Sequence, residues 1–276
     1  MRLAISVLTL TVLAATPLRA QRHRSAMTDT SEWLEDCRDG RNGMNDDDRA
    51  RSCEVRRTAV AAPKGRVTID AGRNGGISVI GGDADSMVVV ALVAASGYNA
   101  DEALAVARQV RIEVTPNSVR ANGPRSDDRH QWYVSFEVVL PRGADVSATT
   151  QNGGVRLEGL NGKVEARAVN GPVSVIEMGG DVTGRTENGP IIAELRGTKW
   201  EGAGLDLETR NGPVTLSIAS GYNAHVETGT VNGPMAIDFP VTIQGQITRR
   251  LSFDVGRGGA PVRAVTTNGP LVVHKL

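Results

Sequence analysis

From Asn152 the chain repeats every nine residues for five units without an insertion, the units opening at Asn152, Asn161, Asn170, Gly179 and Asn188. Gly holds the second place of every unit, and a β-branched residue holds the fourth: Val155, Val164, Val173, Val182 and Ile191. The units alternate in kind. The odd ones carry Gly or Pro at the third place, whereas the even ones carry Lys163 and Asp181. The true period is therefore 18, built from two unequal halves of nine. A short fixed period of turn plus β-branched strand marks a chain that stacks on itself in one dimension.

Asn-Gly is also the strongest two-residue hairpin signal, so the same period could describe an antiparallel meander. The following residue favours the stack. In such a hairpin that residue donates its N–H across the turn, and Pro172, Pro190, Pro213, Pro234 and Pro270 have none to donate. Proline is tolerated at the first residue of a strand, just past a corner. Six Asn-Gly-Pro triplets, counting the one at Asn122, thus predict corners of a coil. The predicted fold is all-β, a β-solenoid-like stack of short strands with about 18 residues per turn, with an antiparallel meander or sandwich as the alternative. Asn152, Asn170 and Asn188 then lie above one another at the strand spacing of about 4.8 Å, so their amides can bond along a column. Asn211, Asn232 and Asn268 extend the motif at looser spacings of 23, 21 and 36 residues. Fourth and sixth positions, such as Val155 and Leu157, face the core, while Arg156, Glu165, Arg167 and Arg185 face water.

Composition supports a thin core. Only nine of 276 residues are aromatic, against 32 Gly. Residues 1–20 have the pattern of a secretory signal: Arg2, an apolar stretch from Leu3 to Ala15, and Leu18-Arg19-Ala20 before a cleavage point. That stretch is too short to span a bilayer, which needs about 20 apolar residues, and nothing later is long enough. Without Arg2 and Arg19 the chain has 29 basic against 31 acidic side chains, a balance that offers no hold on nucleic acid. Cys37 and Cys53 are the only cysteines, and in an exported chain they are expected to pair. Residues 21–62 read as a polar, disulfide-pinned segment preceding a repeat domain at 63–276. Its acidic run Asn45–Asp48 lacks the ligand order of a calcium loop, because Arg41 and Met44 fall at ligand positions. Met87–Ala95 is apolar enough for a strand buried on both faces, and Ala100–Val110 has the spacing of one short helix.

Leu140-Pro141-Arg142-Gly143, the strand Asp145–Thr150 and the recurring Asn-Gly resemble an exported bacterial β-strand-repeat family labelled "putative adhesin", a domain of unknown function, over residues 63–276. The resemblance implies a β-solenoid-like fold and a cell-envelope or secreted location, and it brings no catalytic residues. The function expected is a non-enzymatic structural or adhesive role toward an envelope component, glycan or protein, without cofactor or metal. An envelope-stress regulatory module acting through a partner and a polysaccharide lyase or hydrolase are the alternatives. The enzyme is disfavoured because Glu158, Glu165, Glu177, Glu187 and Glu194 are spread over solvated positions. His23, His130, His225 and His274 show no ligand spacing, and no G-x-S-x-G, H-E-x-x-H or P-loop occurs. Trp132, Trp200 and Tyr222 look too scattered for a sugar platform. Insertions in a stack carry its specificity, so Trp200, within Lys199–Gly202, is the candidate contact residue.

Overall fold

Each half-repeat is long enough for one short strand and one corner, and the chain uses every corner to change sheets. A computed structural model describes residues 30–40, 49–239 and 249–276. Strands Val146–Asn152, Lys163–Asn170, Asp181–Asn188 and Gly204–Asn211 lie in one sheet, and Val155–Glu158, Val173–Ile176, Ile191–Leu195 and Val214–Ile218 lie in the other. Within each sheet these neighbours are parallel: Val164 aligns with Val146 and Val182, and Val173 aligns with Val155 and Ile191. Neighbouring repeats are thus not antiparallel hairpins, and the two facing sheets have the sandwich-like layout of the alternative. The layout is two ten-stranded mixed sheets, face to face over a shared core, neither closed into a barrel.

Alternation fills the interior. Val155, Leu157, Val173 and Val175 meet Val164, Ala166 and Val182 in one continuous core, all nearly inaccessible. Gly184 is in register with Ala166 and Leu207, and a Cβ there would stand 2.5 Å from Leu207 Cδ2. The missing side chain makes room for the large neighbour, as a close-packed interior requires.

Both sheets become antiparallel at the end that holds the N-terminal strands. Ala50–Ala61, Ser86–Gly97 and Gln131–Pro141 form one such extension, and Arg111–Thr115 with Ser118–Asn122 form another. Two helices flank this region where the sequence predicted one, packed on opposite faces of Ser86–Gly97. Helix α2 (Ala100–Gln109) starts at Asn99, whose side chain accepts from the Glu102 N–H at 2.9 Å. Arg56 caps its far end through the carbonyls of Ala107 and Val110. Helix α1 (Thr30–Arg38) falls in the segment read as polar and disulfide-pinned, as does the strand Ala50–Ala61. Trp33 and Cys37, one turn apart, fasten α1 onto Val90, Leu92 and Ala94. The Cys37–Cys53 disulfide, with Cα atoms 6.2 Å apart, ties it to the first strand. These two helices explain why Ser86–Gly97 is buried on both faces. The signal pattern at residues 1–20, His23 and the acidic run at 45–48 lie outside the described residues.

The last rungs do not stack in chain order. Pro261–Asn268 and Leu271–Lys275 insert between the rung of Gly204–Asn211 and that of Ala224–Asn232, and Arg250–Val255 pairs antiparallel on the outer edge of Ala224–Asn232. The 36-residue gap before Asn268 is therefore not two successive turns.

Candidate binding groove

The corner after each long strand is built from three columns. Asparagine side chains form the first: Asn152 Nδ2 donates to Asn74 Oδ1, Asn170 to Asn152, Asn188 to Asn170, Asn211 to Asn188, Asn268 to Asn211 and Asn232 to Asn268, all at 2.8–2.9 Å. The six asparagines named from the sequence thus meet in one ladder, with Asn268 between Asn211 and Asn232. Asn74, whose Asn-Gly-Gly lacks the proline, starts the ladder. Asn122 stands apart and donates to Glu113. The glycines form the second column. A Cβ on Gly171 would lie 2.0 Å from the Gly153 carbonyl oxygen, so no other residue fits between these rungs. Threonines form the third, since Thr150, Thr186, Thr209, Thr266 and Thr230 each donate to a glycine carbonyl of the adjacent rung at 2.7–2.9 Å. Ala168, in register with Thr150 and Thr186, breaks this series.

Trp200 is buried rather than presented on a surface. It is 4% exposed, belongs to the shared core, and its Nε1–H donates to the Gly180 carbonyl at 3.0 Å. A large ring in a chain with few aromatics is worth more as filling for the gap left by the glycine-rich corner than as an exposed anchor.

Another surface offers a better site. Where α1 meets the sheet, Glu137, Ser78, Arg156 and Ser174 stand in register on four adjacent strands, one strand spacing apart. Trp33 closes one end of this row and Pro172 flanks the other, leaving an open groove of about 330 Å³. The Glu137 carboxylate is 4% exposed at the Trp33 end, while Arg156 is exposed and pairs with Glu158 at 2.9 Å. Ser135 accepts from the Gly76 N–H at 3.0 Å and links the groove to a second hollow of about 420 Å³ around the first corner. That hollow is lined by Asn74, Asn152, Gln131, Trp132 and Tyr133. Burial pushes the Tyr133 hydroxyl up to about 12, with Arg51 pulling the other way. The combined surface is a bent trough with hydroxyls, amides, one guanidinium, one buried carboxylate and aromatic walls.

Sequence reasoning missed this trough. Its side chains come from α1, Ile77–Gly82, Gln131–Pro141 and the repeats, and only Arg156 and Ser174 are related by the period of 18. Glu137 in an otherwise apolar strand was the one available signal. The groove lining contains a single carboxylate among the described residues, whereas glycoside hydrolysis works through two. A shallow hollow of about 520 Å³ on the opposite sheet is flanked by Arg167 and Arg185, each already paired, to Glu165 and Asp206 respectively. No helix among the described residues is long and apolar enough to cross a membrane.

No protein-family model matches the sequence, and no curated protein matches it. Solved structures that resemble the chain include a "putative cell adhesion protein" from Clostridium sporogenes, with TM-score 0.45 and 9% identity over 82% of this chain and 100% of that one. A "putative adhesin" from Bacteroides fragilis has TM-score 0.30 and 13% identity over 81% of this chain and 97% of its own. A "putative lipid binding protein" from Parabacteroides distasonis has TM-score 0.27 and 8% identity, covering 82% and 97%.

Proposed function

We propose that the chain is an exported binding protein of the cell envelope, built as a β-solenoid-like coil of about 18 residues per turn. In this reading the coil is a rigid ruler that holds the trough at its N-terminal end. The observation that carries the proposal is the row Glu137, Ser78, Arg156 and Ser174 beside Trp33. Donors and acceptors at strand pitch beside an aromatic edge suit an extended, hydroxyl-rich chain, so the ligand class is an envelope glycan. The Cys37–Cys53 disulfide supports an oxidising compartment and holds the helix that forms the groove wall. A glycan array probed with the full chain tests this. Retention of one or more glycans, lost in Arg156→Ala with unchanged melting, is the expected result. No retained glycan, or retention unaffected by Arg156→Ala and Ser174→Ala together, overturns it, and a protein captured instead from envelope extracts would favour the partner-dependent regulatory role.

A further inference from the structure

At the far end of the molecule, on the sheet opposite the groove, three side chains meet in an order that the sequence does not announce. His225 lies on Ala224–Asn232, and Ser252 and Asp254 lie two apart on Arg250–Val255, so both face the same side of the antiparallel ribbon. Ser252 Oγ is 2.9 Å from His225 Nε2, and His225 Nδ1 is 2.7 Å from Asp254 Oδ1. We propose that these residues form a nucleophile, a general base and an orienting carboxylate for hydrolysis of small carboxylic esters. The proposal is independent of the glycan-binding reading and adds chemistry where the sequence led us to expect none.

The hydrogen bonds determine the roles. An ionised carboxylate only accepts, so Asp254 holds the proton of the neutral ring on Nδ1 and leaves the Nε2 lone pair facing the Ser252 hydroxyl. This is the arrangement by which a serine–histidine–carboxylate set is recognised, whatever the fold or chain order. Ser252 Oγ would attack the ester carbonyl carbon as its proton passes to Nε2. Collapse of the tetrahedral adduct breaks the bond to the alcohol, which takes that proton and leaves an acyl-serine. Water, deprotonated in turn by His225, then releases the carboxylic acid and restores the serine. The register also supplies a donor for the oxyanion. The Thr230 N–H donates to the Arg249 carbonyl, so alternate pairs along the ribbon are bonded and the Ser252 N–H points away from its neighbour. No further strand covers that edge among the described residues.

The site is open, with His225 and Asp254 side chains 38% and 61% exposed, so it suits a small acyl group such as acetyl on an accessible alcohol. Glu227 lies beside it, 3.9 Å from Nε2, and disfavours anionic acyl groups. The test uses the full chain and p-nitrophenyl acetate, with the acyl group located by peptide mass spectrometry. Acetyl on Ser252 is expected, absent in Ser252→Ala and formed at least about 100-fold more slowly in His225→Gln, the usual worth of a general base. Asp254→Asn should slow acylation and Asp254→Glu should partly restore it, and the deprotonation that governs the wild-type rate should vanish from the pH profile of His225→Gln. Acetyl only on lysines, or turnover unchanged in Ser252→Ala with normal melting, overturns the proposal and leaves a polar surface cluster.

Discussion

The asparagine ladder makes a prediction whose arithmetic is unusually direct. Asn188 makes two ladder bonds, donating to Asn170 at 2.9 Å and accepting from Asn211 at 2.8 Å, whereas Asn232 ends the column and makes one, to Asn268 at 2.8 Å. These side chains are exposed, so a truncated neighbour rehydrates and the loss is the net worth of each bond rather than a desolvation penalty. At about 0.5–1 kcal/mol per bond, Asn188→Ala should cost about 1–2 kcal/mol and Asn232→Ala about half of that. Asn161 opens a repeat at the opposite corner, outside the ladder, and its truncation should stay within about 0.5 kcal/mol. Asn170→Ala combined with Asn188→Ala removes three bonds, not four, because the two residues share one. The double variant should therefore fall short of the summed singles by the value of one bond, about 0.5–1 kcal/mol. Urea titration at constant slope measures all of these quantities. Equal costs for Asn188→Ala, Asn232→Ala and Asn161→Ala, or strict additivity in the double variant, would refute the ladder as a source of stability.

Three further outcomes follow from the corner and the outer face. Ala168→Thr should place a hydroxyl within reach of the Gly153 carbonyl, as Thr186 reaches that of Gly171, and raise stability by about 0.5–1 kcal/mol in a thermal melt. Trp200→Ala should cost about 3–5 kcal/mol, because it empties a core position and removes the indole hydrogen bond to the Gly180 carbonyl, and the lowered melting temperature would be visible without any ligand. Burial works to raise the Asp206 pKa, but hydrogen bonds from Arg185 and Arg263 outweigh it and hold the carboxyl below its ordinary 3.8. Its contribution is thus present above the unfolded value and lost as pH falls through the lower folded value, so the stability gap between the protein and Asp206→Asn should hold above about pH 5 and close in stronger acid. A gap that widens on acidification contradicts that sign.

What the sequence made legible was whatever repeats. Gly at the second place and Val or Ile at the fourth determine which residues face the core, because each rung places the same demand on the next. What it hid depends on contacts between unlike parts. Helix α1 has few apolar residues of its own, and it is held by Trp33 and Cys37 docking onto a strand more than fifty residues away and by a covalent bond. The same hexapeptide, Ala-Ser-Gly-Tyr-Asn-Ala, starts α2 at 95–100 with Tyr98 exposed, yet at 219–224 it makes a turn with Tyr222 buried, so its neighbours decide its conformation. The burial of Trp200 was not legible because an insertion in a stack looks like a surface loop until the space beneath it is known.

The order of the final rungs shows the limit of periodicity itself. Asn232-Gly-Pro and Asn268-Gly-Pro present the same corner, and either could stack on Asn211 with the same amide bond, the same glycine contact and the same inward aliphatic residues. A repeat therefore determines what can stack but leaves equivalent rungs interchangeable. Here the antiparallel partner removes the degeneracy. Arg250–Val255 occupies the outer edge of Ala224–Asn232, so the following strand Pro261–Asn268 can add only on the inner edge, between that ribbon and Gly204–Asn211. The ribbon that reorders the stack is also the one that sets His225 against Asp254 in register, since both depend on the same antiparallel pairing.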